Sequence, residues 1–382
     1  MKIALIQDQL LTSAGSERVF LSLVEEFAEA DVYTLAYNAE VTWPEFKRFK
    51  IRTSVLNPLI RTHRQFKWWF PIATYVMQWW DFRDYDVVIT SSTTVAKYIK
   101  RFRGPQLCYC YFPTRAIWES GKYFGTADSL KARVLAFLMK YLRRRDIAAA
   151  QRVTQFVAIS EFTRTAIRNH YDRDAVVLPS PIDFERFASK STLPKEDFFL
   201  VVGRLETWKR VDYAIEAFAR LGLPLKIVGS GPDEARLRAM ASSNVEFLGQ
   251  VGDEDLARLY ARARAVVFTP ALEYGLVPLE ANAAGTPCIA FGRGGVLETM
   301  VGLDDKAGRP PTAVLFDEQT PESLVEAVGT FERTRFDRAA LTAHASGYNV
   351  GAFKSKMRAL LDKMLVETRT AQALPARAQQ AR

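Results

Sequence analysis

Short apolar runs rich in β-branched and aromatic residues alternate along this chain with longer stretches whose apolar residues recur every three or four positions. The short runs predict buried strands and the longer stretches amphipathic helices. Strands are expected over 3–6, 32–35, 86–90 and 107–111, and from 156 up to a capping Ser160. In the second half they are expected over 198–203, from 225 to the glycine turn at 229–231, over 265–269, and within 285–291. After the first strand, Val19, Phe20, Leu23, Val24 and Phe27 share one helical face, with Ser13 or Ser16 as the candidate cap. Strand and helix in regular alternation argue for parallel sheets. Residues 176–183 carry two prolines and read as a stiff connector, after which the same architecture repeats. An α/β fold of two Rossmann-like domains follows, with domains at 1–178 and 179–352, a closing helix at 353–370 and a disordered tail at 371–382.

At 382 residues the chain is long enough for two cores. Residues 1–6 already read as a strand, so no signal peptide is expected, and no apolar stretch is long enough to span a membrane. Three cysteines, Cys108, Cys110 and Cys288, do not make a disulfide framework and point to a reducing, cytoplasmic setting. Net charge is +9. Up to residue 180 there are 26 Lys+Arg against 17 Asp+Glu, and beyond it 26 against 26, so the whole excess lies in the first half. Such a face attracts anionic lipid or a pyrophosphate-bearing acceptor, or it serves solubility alone. Within it, residues 61–83 mix basic residues with four tryptophans. Two readings stand for this segment: contact with the inner face of a membrane, or core packing. No nucleic-acid partner is indicated.

The candidate chemistry gathers at 273–280. A buried strand ends at Pro270, and a helix is expected to begin near Gly275 with Pro278 in its first turn. Backbone N–H groups at Gly275, Leu276 and Val277 then make an anion site, and Glu273 and Glu280, the latter two turns into the helix, bracket a diphosphate about 10 Å apart. Upstream, the strand at 198–203 ends in Gly203 and is followed by Arg204 and Lys209, a cation pair suited to a leaving diphosphate. Gly229 and Gly231 form a Gly-x-Gly turn between a strand and a helix, where backbone can approach a ligand. Asp253 and Asp255 spell Asp-x-Asp but open an amphipathic helix, so they read as an N-cap with an acidic first turn. His63, His170 and His344 are scattered, and no metal site is expected.

In this setting Glu273 and Glu280 resemble the glutamate pair of retaining glycosyltransferases of family 4, which have the GT-B fold of two facing Rossmann-like domains and a C-terminal helix crossing back to the first. Ala14-Gly15-Ser16-Glu17 is similar to the family's Gly-Gly-x-Glu and keeps one glycine of the pair. Residues 108–119 resemble a motif of bacterial GDP-mannose-dependent mannosyltransferases of polysaccharide and O-antigen synthesis, Cys-His-x-Pro-x-Arg-x-x-Trp. Pro113, Arg115 and Trp118 match, and Tyr111 stands in place of the histidine.

The resemblance implies metal-independent, cofactor-free transfer of a hexose from a nucleotide sugar to a lipid-linked or growing surface glycan. Glu273, Arg204 and Lys209 would be catalytic. Gly15, Gly203, Gly229, Gly249, Val251, Tyr274, Gly275, Leu276, Val277 and Glu280 would bind the donor, with Gly249 and Val251 near the base and Glu280 on the ribose. Tyr111, Arg115 and Trp118 would lie on the sugar and acceptor side. Because the family histidine lies by the sixth carbon of the donor sugar, Tyr111 is expected to fill space beside a 6-deoxy sugar. A UDP-sugar donor, a nucleotide-sugar epimerase and a non-catalytic GT-B partner protein stay open as alternatives.

Overall fold

The computed structural model describes residues 1–119 and 130–380. They form two compact units, Met1–Pro179 with Phe353–Arg382, and Ser180–Ala352.

The first unit is built on a seven-stranded parallel sheet: β1 (Ile3–Gln7), β2 (Asp31–Thr34), β3 (Ile51–Thr53), β4 (Val87–Ser92), β5 (Gln106–Cys110), β6 (Gln155–Ala158) and β7 (Ala175–Val177). Their order is β3-β2-β1-β4-β5-β6-β7. Strands β1, β4 and β5 are buried at every position, which is why apolar runs such as 3–6 and 87–89 mark them in the sequence. The chain works outward from β1 to β3, then returns to β4 on the other side of β1. The connections after these two strands therefore leave in opposite directions and open a crevice at their carboxyl ends.

Helix Gly15–Glu26 buries the expected Val19, Phe20, Leu23 and Val24. Neither expected serine caps it. The N-cap is Ala14, Ser13 Oγ donates to the Val41 carbonyl, and Ser16, already inside the first turn, donates to Glu17. Ser160 does cap helix Glu161–Tyr171, accepting from the Thr163 N–H. The aromatic segment forms helix His63–Val76, closed at its start by a Thr62–Gln65 capping box. Its Phe66, Phe70 and Ala73 enter the core, and Trp69 and Trp80 pack against the same cluster.

One buried ion pair ties several of these elements together. Asp146, fully buried on helix Leu130–Ala150, lies 2.9 Å from the Lys97 ammonium. Its two oxygens also accept from Tyr98 (2.8 Å), Thr114 (3.3 Å), Trp118 (2.8 Å) and Tyr171 (2.7 Å). Burial alone would favour neutral forms. The facing carboxylate instead holds the Lys97 pKa above its ordinary value.

The second unit repeats the plan with six parallel strands: β8 (Phe199–Val202), β9 (Leu225–Val228), β10 (Val245–Gly249), β11 (Val266–Phe268), β12 (Cys288–Phe291) and β13 (Ala313–Phe316), in the order β10-β9-β8-β11-β12-β13. Its switch of direction falls between β8 and β11. Helix Val350–Gln380 starts in this unit and from Phe353 onward belongs to the first. There Arg358 donates to the Glu26 carbonyl at 2.7 Å, Lys354 pairs with Glu25 at 3.0 Å, and Phe353 packs edge-on against Tyr109. The helix also runs through 371–380, which were expected to be disordered. Ala, Gln and Arg dominate that stretch and are strong helix formers. Residues 381 and 382 lie outside the described residues.

Candidate active site

Ligands of open parallel sheets bind where strand order reverses, beyond the carboxyl ends of the strands. At that point in the second unit a cavity lies between the ends of β8 and β11, and Gly203, Arg204, Lys209, Tyr274, Leu276 and Val277 line it. Six residues singled out in the sequence for phosphate and sugar chemistry thus meet at one place.

The loop carrying the two cations is stitched down on both sides. Leu205 N–H donates to the Ser230 carbonyl at 3.0 Å, on the β9 side. Thr269, just past β11, donates from Oγ1 to the Lys209 carbonyl at 2.8 Å, and Gln319 donates to the Thr269 carbonyl at 2.9 Å. Arg204 is about half exposed and donates to Glu206 at 2.9 Å, while the Lys209 ammonium sits 4.5 Å from the Trp208 ring. Gly229 is required by close approach, because a Cβ there would stand 1.9 Å from the Gly203 carbonyl oxygen. Its N–H donates to the Gly249 carbonyl at 2.7 Å. Gly203, Gly229 and Gly249 therefore form a row along the ends of β8, β9 and β10, with Val251 just beyond. Gly229, Gly249 and Val251 flank the cavity and are not part of its wall.

Half-buried Glu273 sits on the loop before helix Leu276–Ala283, whose N-cap is Gly275. The first-turn N–H groups of this helix have no carbonyl one turn back to donate to and make an electropositive end. Glu280 lies little more than one turn into the helix, since 273–275 are not helical, and the expected two-turn placement is corrected accordingly. Its carboxylate accepts from Tyr260 at 2.8 Å. Burial drives the Tyr260 pKa well above its ordinary value, so this phenol remains a proton donor to Glu280. Tyr274 packs in the cavity wall while its hydroxyl donates to the Ser180 carbonyl at 2.9 Å.

Two groups that shape the site were not among the expected site residues. Gly294 bridges to Leu272, and Gly295 N–H donates to the Leu272 carbonyl at 2.8 Å. A Cβ at Gly295 would fall 2.0 Å from the Glu273 carbonyl oxygen, so this glycine sets how the Glu273 loop lies. The glycine pair after β12 was a signal available in the sequence. Tyr260 gave none, because it occupies an apolar-face position of an amphipathic helix and reads as core.

The Asp-x-Asp acids are spent on ion pairs. Asp253 meets Arg186, Glu254 lies 3.1 Å from Lys190, and Asp255 lies 3.2 Å from Arg258. The expected acidic first turn is present, but the N-cap is Gly252, with Asp253 already inside helix Asp253–Arg262. Among the described residues no group of His, Cys, Asp and Glu is arranged to hold a metal.

The equivalent crevice of the first unit is lined differently. Fully buried Asp8, just past β1, accepts from the N–H groups of Thr93 (2.5 Å), Thr94 (2.8 Å), Val95 (2.7 Å) and Ala96 (2.6 Å). A nest of amides suited to an anion is thus filled by the protein's own carboxylate. Beside it, Tyr111 donates to the Ser16 carbonyl at 2.9 Å, next to Gly15. A phenol has one proton, so the 3.0 Å bond between Tyr111 and Ser91 is donated by Ser91. Burial raises the Tyr111 pKa far above its ordinary value, so this phenol stays protonated. Glu17 is buried and bonded by Thr12 and Ser16, and burial raises its pKa. Arg115 stands over the Phe112 ring, and Trp118 is bound to Asp146 and stacked on His170 at 4.3 Å. Gly15 and Tyr111 are thus brought together, whereas the Trp118 indole is held by the interior network.

Two units built on parallel sheets, each with its switch-point crevice, give the chain the GT-B fold. Sequence comparison matches residues 13–186 to the family described as Glycosyltransferase Family 4 and residues 183–346 to Glycosyl transferases group 1. Each half of the chain thus matches a glycosyltransferase family model. It is 28% identical over 179 residues to the D-rhamnosyltransferase WbpZ of Pseudomonas aeruginosa, covering 43% of this chain and 47% of that one. It is 30% identical over 182 residues to the O-antigen chain mannosyltransferase C of Escherichia coli, covering 43% and 48%. The chain thus spans about half the length of these curated relatives. Among solved structures, sucrose-phosphate synthase from Thermosynechococcus elongatus superposes with a TM-score of 0.71 at 18% identity, covering 96% of this chain and 100% of that one. HepE of Anabaena, solved in complex with UDP-glucose, superposes with a TM-score of 0.69 at 18% identity, covering 95% and 100%.

Proposed function

We propose that the chain transfers mannose or a related hexose from its GDP-sugar to a lipid-linked or growing surface glycan, with retention of anomeric configuration and without a metal. The reading rests on the convergence of Arg204, Lys209 and the start of helix Leu276–Ala283 on one cavity. Breaking the bond between the anomeric carbon and the phosphate oxygen leaves negative charge on the diphosphate. Fixed cations and a helix N-terminus stabilise that charge as it grows. The acceptor oxygen forms the new bond to the anomeric carbon, and its proton passes to the departing phosphate. Glu273 orients the hexose, and Glu280, aimed by Tyr260, takes the ribose hydroxyls. The first unit holds the acceptor.

The Pro113, Arg115 and Trp118 motif supports a GDP-linked donor, and the two bacterial relatives, a D-rhamnosyltransferase and a mannosyltransferase, support a sugar of the mannose series. D-Rhamnose is 6-deoxymannose, and Tyr111 in place of histidine favours this sugar as the second candidate. The deciding experiment is a thermal-shift screen of GDP-, UDP- and dTDP-sugars, followed by NMR of the product anomer. A donor at a hundred times its Kd should stabilise by about 2.7 kcal/mol, roughly 5–10 °C for a unit of this size. Arg204→Ala and Lys209→Ala should each abolish most of that shift. A UDP-sugar alone shifting the protein overturns the donor assignment, and equal shifts in wild type and both variants overturn the site. Chelation by EDTA should leave the transfer rate unchanged.

A further inference from the structure

Helix His63–Val76 is apolar on two faces. The inner face enters the core, as described above. The outer face carries Trp68, Ile72 and Tyr75, continued by Trp79 in the turn beyond, at spacings of four, three and four that make one stripe. These four are 82%, 48%, 43% and 61% exposed, so the stripe faces solvent. A second exposed stripe, Phe137, Leu138 and Tyr141, lies on helix Leu130–Ala150. The two stripes join: the Tyr75 and Tyr141 hydroxyls are 2.5 Å apart, and the Arg145 guanidinium lies 3.5 Å from the Tyr75 ring centre. The result is one aromatic surface spanning two helices, where isolated exposed apolar residues would need no explanation.

On the two helices the exposed charge has a single sign. Helix His63–Val76 contains no acidic residue, and the one acid of helix Leu130–Ala150 is Asp146, buried against Lys97. Arg64, Lys67, Lys140 and Arg144 are exposed around the stripes. Arg143 and Arg145, half-buried, donate to the Ile117 and Thr74 carbonyls. No described helix is long and apolar enough to cross a membrane.

We propose that this face docks the protein on the surface of an anionic phospholipid bilayer. Tryptophan and tyrosine rings settle at the boundary of headgroups and acyl chains, where an apolar body and a polar tip are both satisfied. The surrounding cations meet lipid phosphates, each contributing about a fivefold gain in partitioning. This inference is independent of the donor assignment, since the face lies wholly within the first unit.

The test is flotation of the full chain with phosphatidylcholine vesicles that contain or lack phosphatidylglycerol. The chain should float only with the anionic vesicles. Trp68→Ser with Trp79→Ser should weaken binding at least about tenfold, and Lys140→Gln with Arg144→Gln roughly 25-fold. All four positions are exposed, so the melting temperature and the donor-induced thermal shift should match wild type. That separates loss of docking from loss of fold or of the donor site. No flotation of wild type, or equal flotation of wild type and both double variants, overturns the proposal. So does a lipid-free dimer that the tryptophan variant dissolves, which would assign the face to a second copy of the chain.

Discussion

Alanine at position 295 separates the geometry of the Glu273 loop from every other property of the site. Gly295 has φ −67° and ψ −13°, which any residue adopts, so the substitution acts through space alone. The added Cβ would stand 2.0 Å from the Glu273 carbonyl oxygen, 2.5 Å from its carbon and 2.7 Å from the Tyr274 Cα. All three are backbone atoms, so no rotamer change relieves the contact. Real Cβ atoms essentially never approach closer than 3.0 Å, and the loop must therefore retreat by about 1 Å. A displacement of that size in a positioning group costs roughly a hundredfold in rate, against about 1–3 kcal/mol of stability for the overpacking itself. The assay is the initial rate of sugar transfer with the donor selected by thermal shift, alongside circular dichroism and the melting temperature. Gly347→Ala is the control, because its Cβ would meet nothing closer than the His344 carbonyl oxygen at 3.6 Å. A Gly295→Ala enzyme within about threefold of wild type, or a Gly347→Ala enzyme equally impaired, would refute the claim that this contact sets the Glu273 loop.

Three further outcomes follow from the same geometry. Tyr260→Phe removes the hydroxyl that aims Glu280, so donor affinity should fall by about tenfold, the value of one hydrogen bond to a charged group, while the melting temperature changes little; isothermal titration with the donor checks it. Asp146→Ala leaves the Lys97 ammonium buried without its counter-charge and should cost about 3–5 kcal/mol in denaturant unfolding, with Lys97→Met/Asp146→Leu recovering part of the loss. Glu17 keeps its proton in the fold to a higher pH than its ordinary 4.5, so its stabilising contribution is complete below that value and declines as pH rises through the elevated folded one. Glu17→Gln should flatten that decline in a series of melting temperatures against pH, and an unchanged slope would show that another group causes it.

Much of the architecture was legible because buried parallel strands leave a signature that needs no partner to be read. β1, β4, β5, β8, β11 and β12 all appear as apolar runs, and the prolines near 180 mark where the first unit ends. Of the strands that escaped notice, β3, β7 and β13 are only three or four residues long, too short for a periodic pattern, and β10 has five residues. Arg204, Lys209, Glu273 and Glu280 could be singled out because strand, glycine and helix start occur next to them in the chain.

What the sequence alone determined, then, is the alternation of strand and helix, the doubling of the plan, and the local chemistry beside each strand end. Only the tertiary structure decided which distant residues support that chemistry. Gly295 and Tyr260 reach the site from the turn after β12 and from helix Asp253–Arg262, contacts that exist only once the sheet has assembled. It also divided the tryptophans of 61–83 between interior and surface, and it carried Trp118 into contact with Asp146. The physical reason is that periodicity fixes which side of an element is apolar, whereas what covers that side depends on sheet order and on which neighbouring helix completes the packing.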